Sequence, residues 1–234
     1  RRFWVDGVLD NSLHGAVLMQ LGLQTQPESV HRPWDVKIRR DGEDRTLNQG
    51  MRVMDVFDYS GGTLLILGEP GSGKTTLLLE LTRDLLNRAK TQSDYPLPVV
   101  FNLSSWAQDQ LPLDAWLVEE LNVKYQMARA VAQQWVDKQA FLLLLDGLDE
   151  VSESVRDACV NEINTYRNQH ADVPMVVCSR TADYGALSQQ LNFHDAVVIE
   201  PLDDHQIDSY LASFGAGMNG LRQQMATDPR LRAL

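Results

Sequence analysis

From residue 63 onward, short apolar runs alternate with longer stretches in which apolar residues recur every three or four positions among charges. The runs at 63–67, 98–103, 141–145, 174–179 and 196–200 have the length and composition of strands. The stretches at 74–90, 113–138 and 152–169 carry the helical period, the middle one with a break inside it. Such alternation predicts an α/β fold, a parallel sheet with helices on both faces in a three-layer αβα sandwich. Phe141-Leu142-Leu143-Leu144-Leu145 and Met175-Val176-Val177 are apolar throughout, as strands covered on both faces are. A helix over 51–57 leads into the first core strand, with Gly61-Gly62 as the break. Residues 203–214 and 218–228 read as helices that begin a small helical subdomain.

The first 55 residues are less regular. Two tryptophan patches, Phe3-Trp4-Val5 and Pro33-Trp34-Asp35, flank an apolar stretch from Leu13 to Leu23 with the pattern of a short helix. Arg39 to Asn48 is charged and reads as a loop. The predicted organisation is a segment 1–55 packed on the core, an α/β core at 56–200, and the start of a helical subdomain at 201–234. The chain opens Arg1-Arg2-Phe3 with no initiator Met and stops in a Leu/Arg-rich stretch, so both ends read as cuts in a longer protein.

Composition narrows the possibilities. At 44% hydrophobic and 23% charged, the chain has the make-up of a soluble globular protein. A net charge of −11 argues against broad electrostatic binding to nucleic acid or anionic membrane. No apolar run approaches the ~20 residues of a membrane span. Two scattered cysteines, Cys159 and Cys178, fit a reducing, cytoplasmic setting and no disulfide framework. The five histidines show no metal-ligand spacing.

The chemistry concentrates in three places, each at the carboxyl end of a predicted strand, where open parallel sheets hold ligands. Gly68-Glu69-Pro70-Gly71-Ser72-Gly73-Lys74-Thr75-Thr76 fits the phosphate-loop pattern G-x-x-x-x-G-K-[ST] between a strand and a helix. Its glycines let successive N–H groups point at phosphate oxygens, and the helix N-terminus adds partial positive charge. Lys74 is placed to reach the β- and γ-phosphates and Thr75 to offer a hydroxyl to Mg²⁺. A plain turn between strand and helix needs no Lys-Thr at its end.

The second place is the apolar run ending Asp146-Gly147-Leu148-Asp149-Glu150, a Walker B pattern. Asp146 is the Mg²⁺ residue, acting through water, since Mg²⁺ keeps several of its waters. Asp149 and Glu150 are the candidates to orient or activate the attacking water, with Asp149 slightly preferred. An acidic turn capping the next helix is the bland alternative, weakened by a phosphate loop about 70 residues upstream. The third place is Ser179-Arg180, where Arg180 is positioned to sense or stabilise charge on the γ-phosphate. The base is read as adenine, because the guanine-reading Asn-Lys-x-Asp tetrad is missing from the sequence.

With these segments together the chain resembles NACHT-type NTPases of the STAND class. The discriminating feature is the small residue Gly147 directly after Asp146, with acids two and three places later. The opening Phe3-Trp4-Val5-Asp6-Gly7-Val8-Leu9 with Pro33-Trp34 also resembles the segment ahead of the core in bacterial multidomain members. The likeness covers roughly residues 1–215. It implies a sheet order of 5-1-4-3-2 and a molecular switch. In the ADP form, helical and winged-helix regions close over the nucleotide; exchange for ATP opens them, permits self-association and gathers effector domains. It implies slow hydrolysis and ATP/ADP with Mg²⁺ as ligands, as in innate-immune receptors and bacterial anti-phage proteins. By the same resemblance the winged helix, with its His contact to nucleotide, is expected beyond Leu234.

Three other readings compete. An AAA+-like turnover ATPase activated by assembly needs an arginine finger in trans; the sequence offers no clear one, with only Arg156 and Arg167 on the helix after Walker B left open. A nucleotide kinase needs an Arg-rich lid, yet 181–195 holds no Arg or Lys. A scaffold with a dead phosphate loop is disfavoured because every motif residue is present.

Overall fold

The computed structural model describes residues 36–40, 43–46, 52–193, 195–199 and 219–227, together with Leu211 and Gly217. The apolar runs form five parallel strands: β3 (Thr63–Gly68), β4 (Leu97–Asn102), β5 (Phe141–Asp146), β6 (Met175–Arg180) and β7 (Asp195–Ile199). Their order across the sheet is β7-β3-β6-β5-β4, which is 5-1-4-3-2 counted among the parallel strands. The order that the resemblance implied is the one observed.

The runs that read as continuously apolar divide between the two faces of the sheet. Leu65, Leu67, Phe141, Leu143, Leu145, Met175 and Val177 join one core cluster, and Leu64, Ile66, Leu142, Leu144, Val176 and Cys178 join the other. Neither set meets water, so alternation in space leaves no trace in the sequence. Removing one of these side chains down to Ala, as in Leu144→Ala, costs about 2–5 kcal/mol.

Helices α1 (Val53–Tyr59) and α2 (Lys74–Thr91) cover the second face. Val53, Val56 and Phe57 meet Leu77, Leu78, Leu81 and Leu85 there. Outside this packing, Arg88 grips the Asp58 carboxylate with both terminal nitrogens, at 2.5 and 2.6 Å. On the first face lie α3 (Trp106–Asp109), α4 (Leu113–Tyr125), α5 (Arg129–Asp137), α6 (Glu153–Gln169) and the short α7 (Thr181–Gly185). The break predicted within 113–138 falls at Gln126, whose φ of 54° is left-handed. There the Met127 N–H returns to Leu121 O at 3.1 Å and Asn122 Nδ2 bonds Met127 O at 2.9 Å, closing one helix before the next starts.

Two strands depart from expectation. Val36–Arg40 (β1) and Glu43–Thr46 (β2) form an antiparallel hairpin, and β1 pairs with β7 from Val36↔Ile199 to Arg40↔Asp195. The charged stretch beginning at Arg39 is therefore strand over much of its length rather than loop. Strand formation there follows from the open backbone edge of β7, with which an extended segment can pair. Within the predicted 218–228 helix, Asn219–Thr227 (α8) is observed. Apart from Leu211, the helix expected at 203–214 lies outside the described residues, as do the two tryptophan patches and Leu13 to Leu23.

Candidate functional site

Four strands end at one edge in Gly68, Asn102, Asp146 and Arg180. Asn102 sits beside Asp146 in the register of β4 and β5, and Gly68 beside Arg180 in that of β3 and β6.

Between β3 and α2 the chain turns through Glu69 to Gly73. Gly73 takes the helix N-cap position at φ 92°, ψ 19°, a left-handed conformation that a side chain disfavours, and offers no capping side chain to the first turn of α2. Lys74 folds back so that its Nζ donates to Gly68 O and Glu69 O, each at 2.9 Å. The ammonium is thus held against the loop backbone by two carbonyl oxygens. The Ser72 hydroxyl is buried with no hydrogen-bond partner. A cationic pocket with an uncapped helix end and an unsatisfied hydroxyl fits an oxyanion ligand.

Thr75 Oγ1 donates to Asp146 Oδ2 at 3.1 Å, joining phosphate loop and Walker B strand across 71 positions of sequence. A hydroxyl and a carboxylate side by side are the oxygen donors that a hard cation such as Mg²⁺ takes. Burial pushes the Asp146 carboxyl above the ordinary aspartate range. The Thr75 bond opposes this, and the negative charge of Glu150 adds to it. Behind Asp146 the fully buried Cys178 thiol is held far up, chiefly by burial.

The two acids after Gly147 part company. Asp149 is drawn inward: its side chain is 8% exposed and its Oδ2 pairs with Arg180 Nε at 2.7 Å. Glu150 is exposed and accepts from Asn102 Nδ2 at 3.0 Å. The predicted site residues Lys74, Thr75, Asp146, Asp149, Glu150 and Arg180 are therefore linked through one edge. Glu69, Pro70 and Gly71 form the exposed rim of the loop, and Thr76 lies in the first turn of α2.

Arg156, left open as an arginine finger, is turned inward. Only 8% exposed, it donates to Val151 O at 3.1 Å, Asp149 O at 2.9 Å and Asp183 Oδ1 at 2.9 Å. The guanidinium ties the acidic turn to α7 of the same chain, and a partner's nucleotide cannot reach it. Arg167 is also engaged in cis, donating to Asn192 O at 3.1 Å with its guanidinium 5.5 Å above the Phe193 ring. Sequence reasoning missed Asn102. Its one signal was a polar residue near the end of a predicted strand, and that signal gains meaning only once β4 is known to lie beside β5.

A family model described as the NACHT domain matches residues 62–216. No curated protein matches the chain. Among solved structures, C. elegans PCH-2 is similar at 17% identity and TM-score 0.40, over 65% of this chain and 39% of that one. The Pif1 helicase from Candida albicans is similar at 15% identity and TM-score 0.36, over 69% of this chain and 41% of that one. The chain thus spans about two fifths of the length of either.

Proposed function

The chain belongs to the NACHT family of P-loop NTPases, a nucleotide-binding domain, and from that premise we propose that it is an ATP/ADP switch with slow, Mg²⁺-dependent hydrolysis. The observation that carries this reading is the contact between Thr75 and Asp146 beside the inward-held Lys74. Lys74 exchanges its two backbone acceptors for β- and γ-phosphate oxygens, while the loop from Gly68 to Thr76 presents N–H groups to them. Thr75 and Asp146 would hold Mg²⁺, Asp146 through water, and the ion would supply positive charge to the phosphate oxygens. Arg180, 48% exposed and paired to Asp149, ends the strand beside the loop, and in this reading it trades that partner for the γ-phosphate. Asp149 or Glu150 orients the attacking water and takes its proton.

The slow rate and the switch rest on the family resemblance of Asp146-Gly147-Leu148-Asp149-Glu150. In this reading residues 1–55 pack on the core at 56–200, and 201–234 begins the helical subdomain. The full-length protein, with C-terminal sensor and effector regions, self-associates in the ATP form in the cytoplasm, in signalling or bacterial immunity of the NLR-like kind. The rival reading as an assembly-activated AAA+-like turnover ATPase draws no support from Arg156 or Arg167, both tied in cis.

The test is to identify any nucleotide released on denaturing the purified chain, and to titrate it with ATP, ADP and GTP in the presence of Mg²⁺. Adenine preference, turnover below the roughly 1–10³ s⁻¹ of ordinary enzymes, and loss of binding in Lys74→Ala are expected. Guanine preference or unchanged affinity in Lys74→Ala would overturn the proposal.

A further inference from the structure

We infer that Asn102 is a positioning residue that holds Glu150, rather than Asp149, as the carboxylate facing the attacking water. The inference deepens the hydrolytic reading above and rests on it.

It starts from the orientation of one amide. The backbone N–H of Ser104 meets Asn102 Oδ1 at 2.8 Å, and the Ser104 hydroxyl donates to the same oxygen. A backbone N–H can only donate, so the atom facing it must be the carbonyl oxygen of the amide. That leaves Nδ2 turned the other way, where it donates to Glu150 Oε2 at 3.0 Å.

The turn that carries Ser104 is itself anchored. Ser105 Oγ lies 2.8 Å from Oε1 of the buried Glu120 on α4 and accepts the Trp116 indole N–H at 3.2 Å. Asn102 therefore presents a donor of fixed direction to Glu150 from the adjacent strand.

Gly147 leaves room for the same carboxylate. A Cβ there would lie 2.9 Å from both Cδ and Oε2 of Glu150, so the carboxylate occupies space that only a glycine leaves. Asp149 has the opposite surroundings. Its carboxylate is buried against Arg180, and its backbone carbonyl is bound by Arg156. Of the two acids, one is spent on an ion pair and the other stands exposed, held by a neutral amide that leaves its charge available.

The experiment measures ATP affinity and steady-state turnover of the purified chain with Mg²⁺. The variants are Asn102→Ala, Asn102→Asp, Glu150→Gln, Asp149→Asn and the double variant Asn102→Ala/Glu150→Gln. Glu150→Gln should lower kcat about 100-fold, the low end for loss of a general base, with ATP affinity unchanged. Asn102→Ala should lower kcat about tenfold, as loss of one charge-assisted hydrogen bond does, with KM unchanged. It should add nothing in the Glu150→Gln background, because a residue acting only through Glu150 has no effect once Glu150 is neutralised. A merely structural role would give the same factor in both backgrounds.

Asn102→Asp keeps the shape and the Ser104 bond but turns the donor into a repelling oxygen. It should impair turnover at least as much as Asn102→Ala, and it carries the test should the alanine variant misfold. Full turnover in both Asn102 variants, equal factors in the two backgrounds, or abolition by Asp149→Asn with Glu150→Gln active would overturn the inference alone. Absence of turnover in the wild-type chain would overturn the hydrolytic reading, and the inference with it.

Discussion

At the scale of single residues, the site shows a conflict between folding and function. Asp146 is partly buried beside two further acids, and its carboxyl is pushed up by burial first and by Glu150 and Asp149 next. An acid whose folded pKa is raised binds its proton more tightly in the folded chain. Its contribution to stability is full below the unfolded value of about 4 and is lost as pH rises through the raised folded value. Asp146→Asn should therefore unfold at a higher temperature than wild type in nucleotide-free buffer at neutral pH, with the gap narrowing toward pH 4. Adding ATP and Mg²⁺ should reverse the ranking, because the variant loses the metal-dependent part of its affinity. Thermal melts at several pH values, with and without ligand, measure both effects. Arg156 makes a different point at this scale. An arginine on the helix after Walker B has the same one-letter signature whether it projects to a neighbour or folds inward, and only the surroundings supplied by Asp183 and the acidic turn decide between them.

At the scale of elements, two glycines have separable roles. Gly73 and Gly147 both lie in the left-handed region, at φ 92° and 76°, so a side chain at either costs roughly 1–2 kcal/mol. A Cβ on Gly73 meets open space, whereas one on Gly147 meets the Glu150 side chain. Gly73→Ala and Gly147→Ala should thus lose similar stability in denaturant titrations. Gly73→Ala should weaken ATP binding, while Gly147→Ala should leave binding in place and lower turnover by displacing Glu150. Equal turnover in Gly147→Ala and wild type would show that Glu150 has room to spare. The core elements themselves were legible, because a short run such as Phe141–Leu145, set between longer helical patterns and ending at Asp146-Gly147, fits a strand between two helical layers. The β1–β2 hairpin was not legible, since its stability as strand comes from pairing with β7, a partner more than 150 positions away in sequence.

At the scale of the whole molecule, the two thiols report on cooperative opening. Cys159 lies in the core on one face of the sheet and Cys178 in the core on the other, both fully buried. Burial pushes the Cys159 thiol up to about 12 and Cys178 well up. Neither should react with a thiol reagent at pH 8 unless the chain opens. Both should then label at one common rate. Nucleotide at 100 times its Kd should slow that rate about 100-fold, since ligand stabilises by about 2.7 kcal/mol at that excess. Rates that differ between the two, resolved by mass spectrometry, would mean that the two layers open separately.

The sequence by itself determined the alternation of strand and helix, the phosphate loop with its lysine and threonine, and the acidic turn after β5. Each of these is a local matter, of hydrophobic period, of glycine backbone or of neighbouring residues along the chain. The tertiary structure alone decided how those parts are shared out. It set Asn102 beside Asp146 through the pairing of β4 with β5, gave Asp149 to Arg180 and Glu150 to Asn102, and turned Arg156 inward. Adjacent acids are chemically near-equivalent in a sequence. They become different only when strands brought together from far along the chain surround one with a cation and the other with a neutral donor.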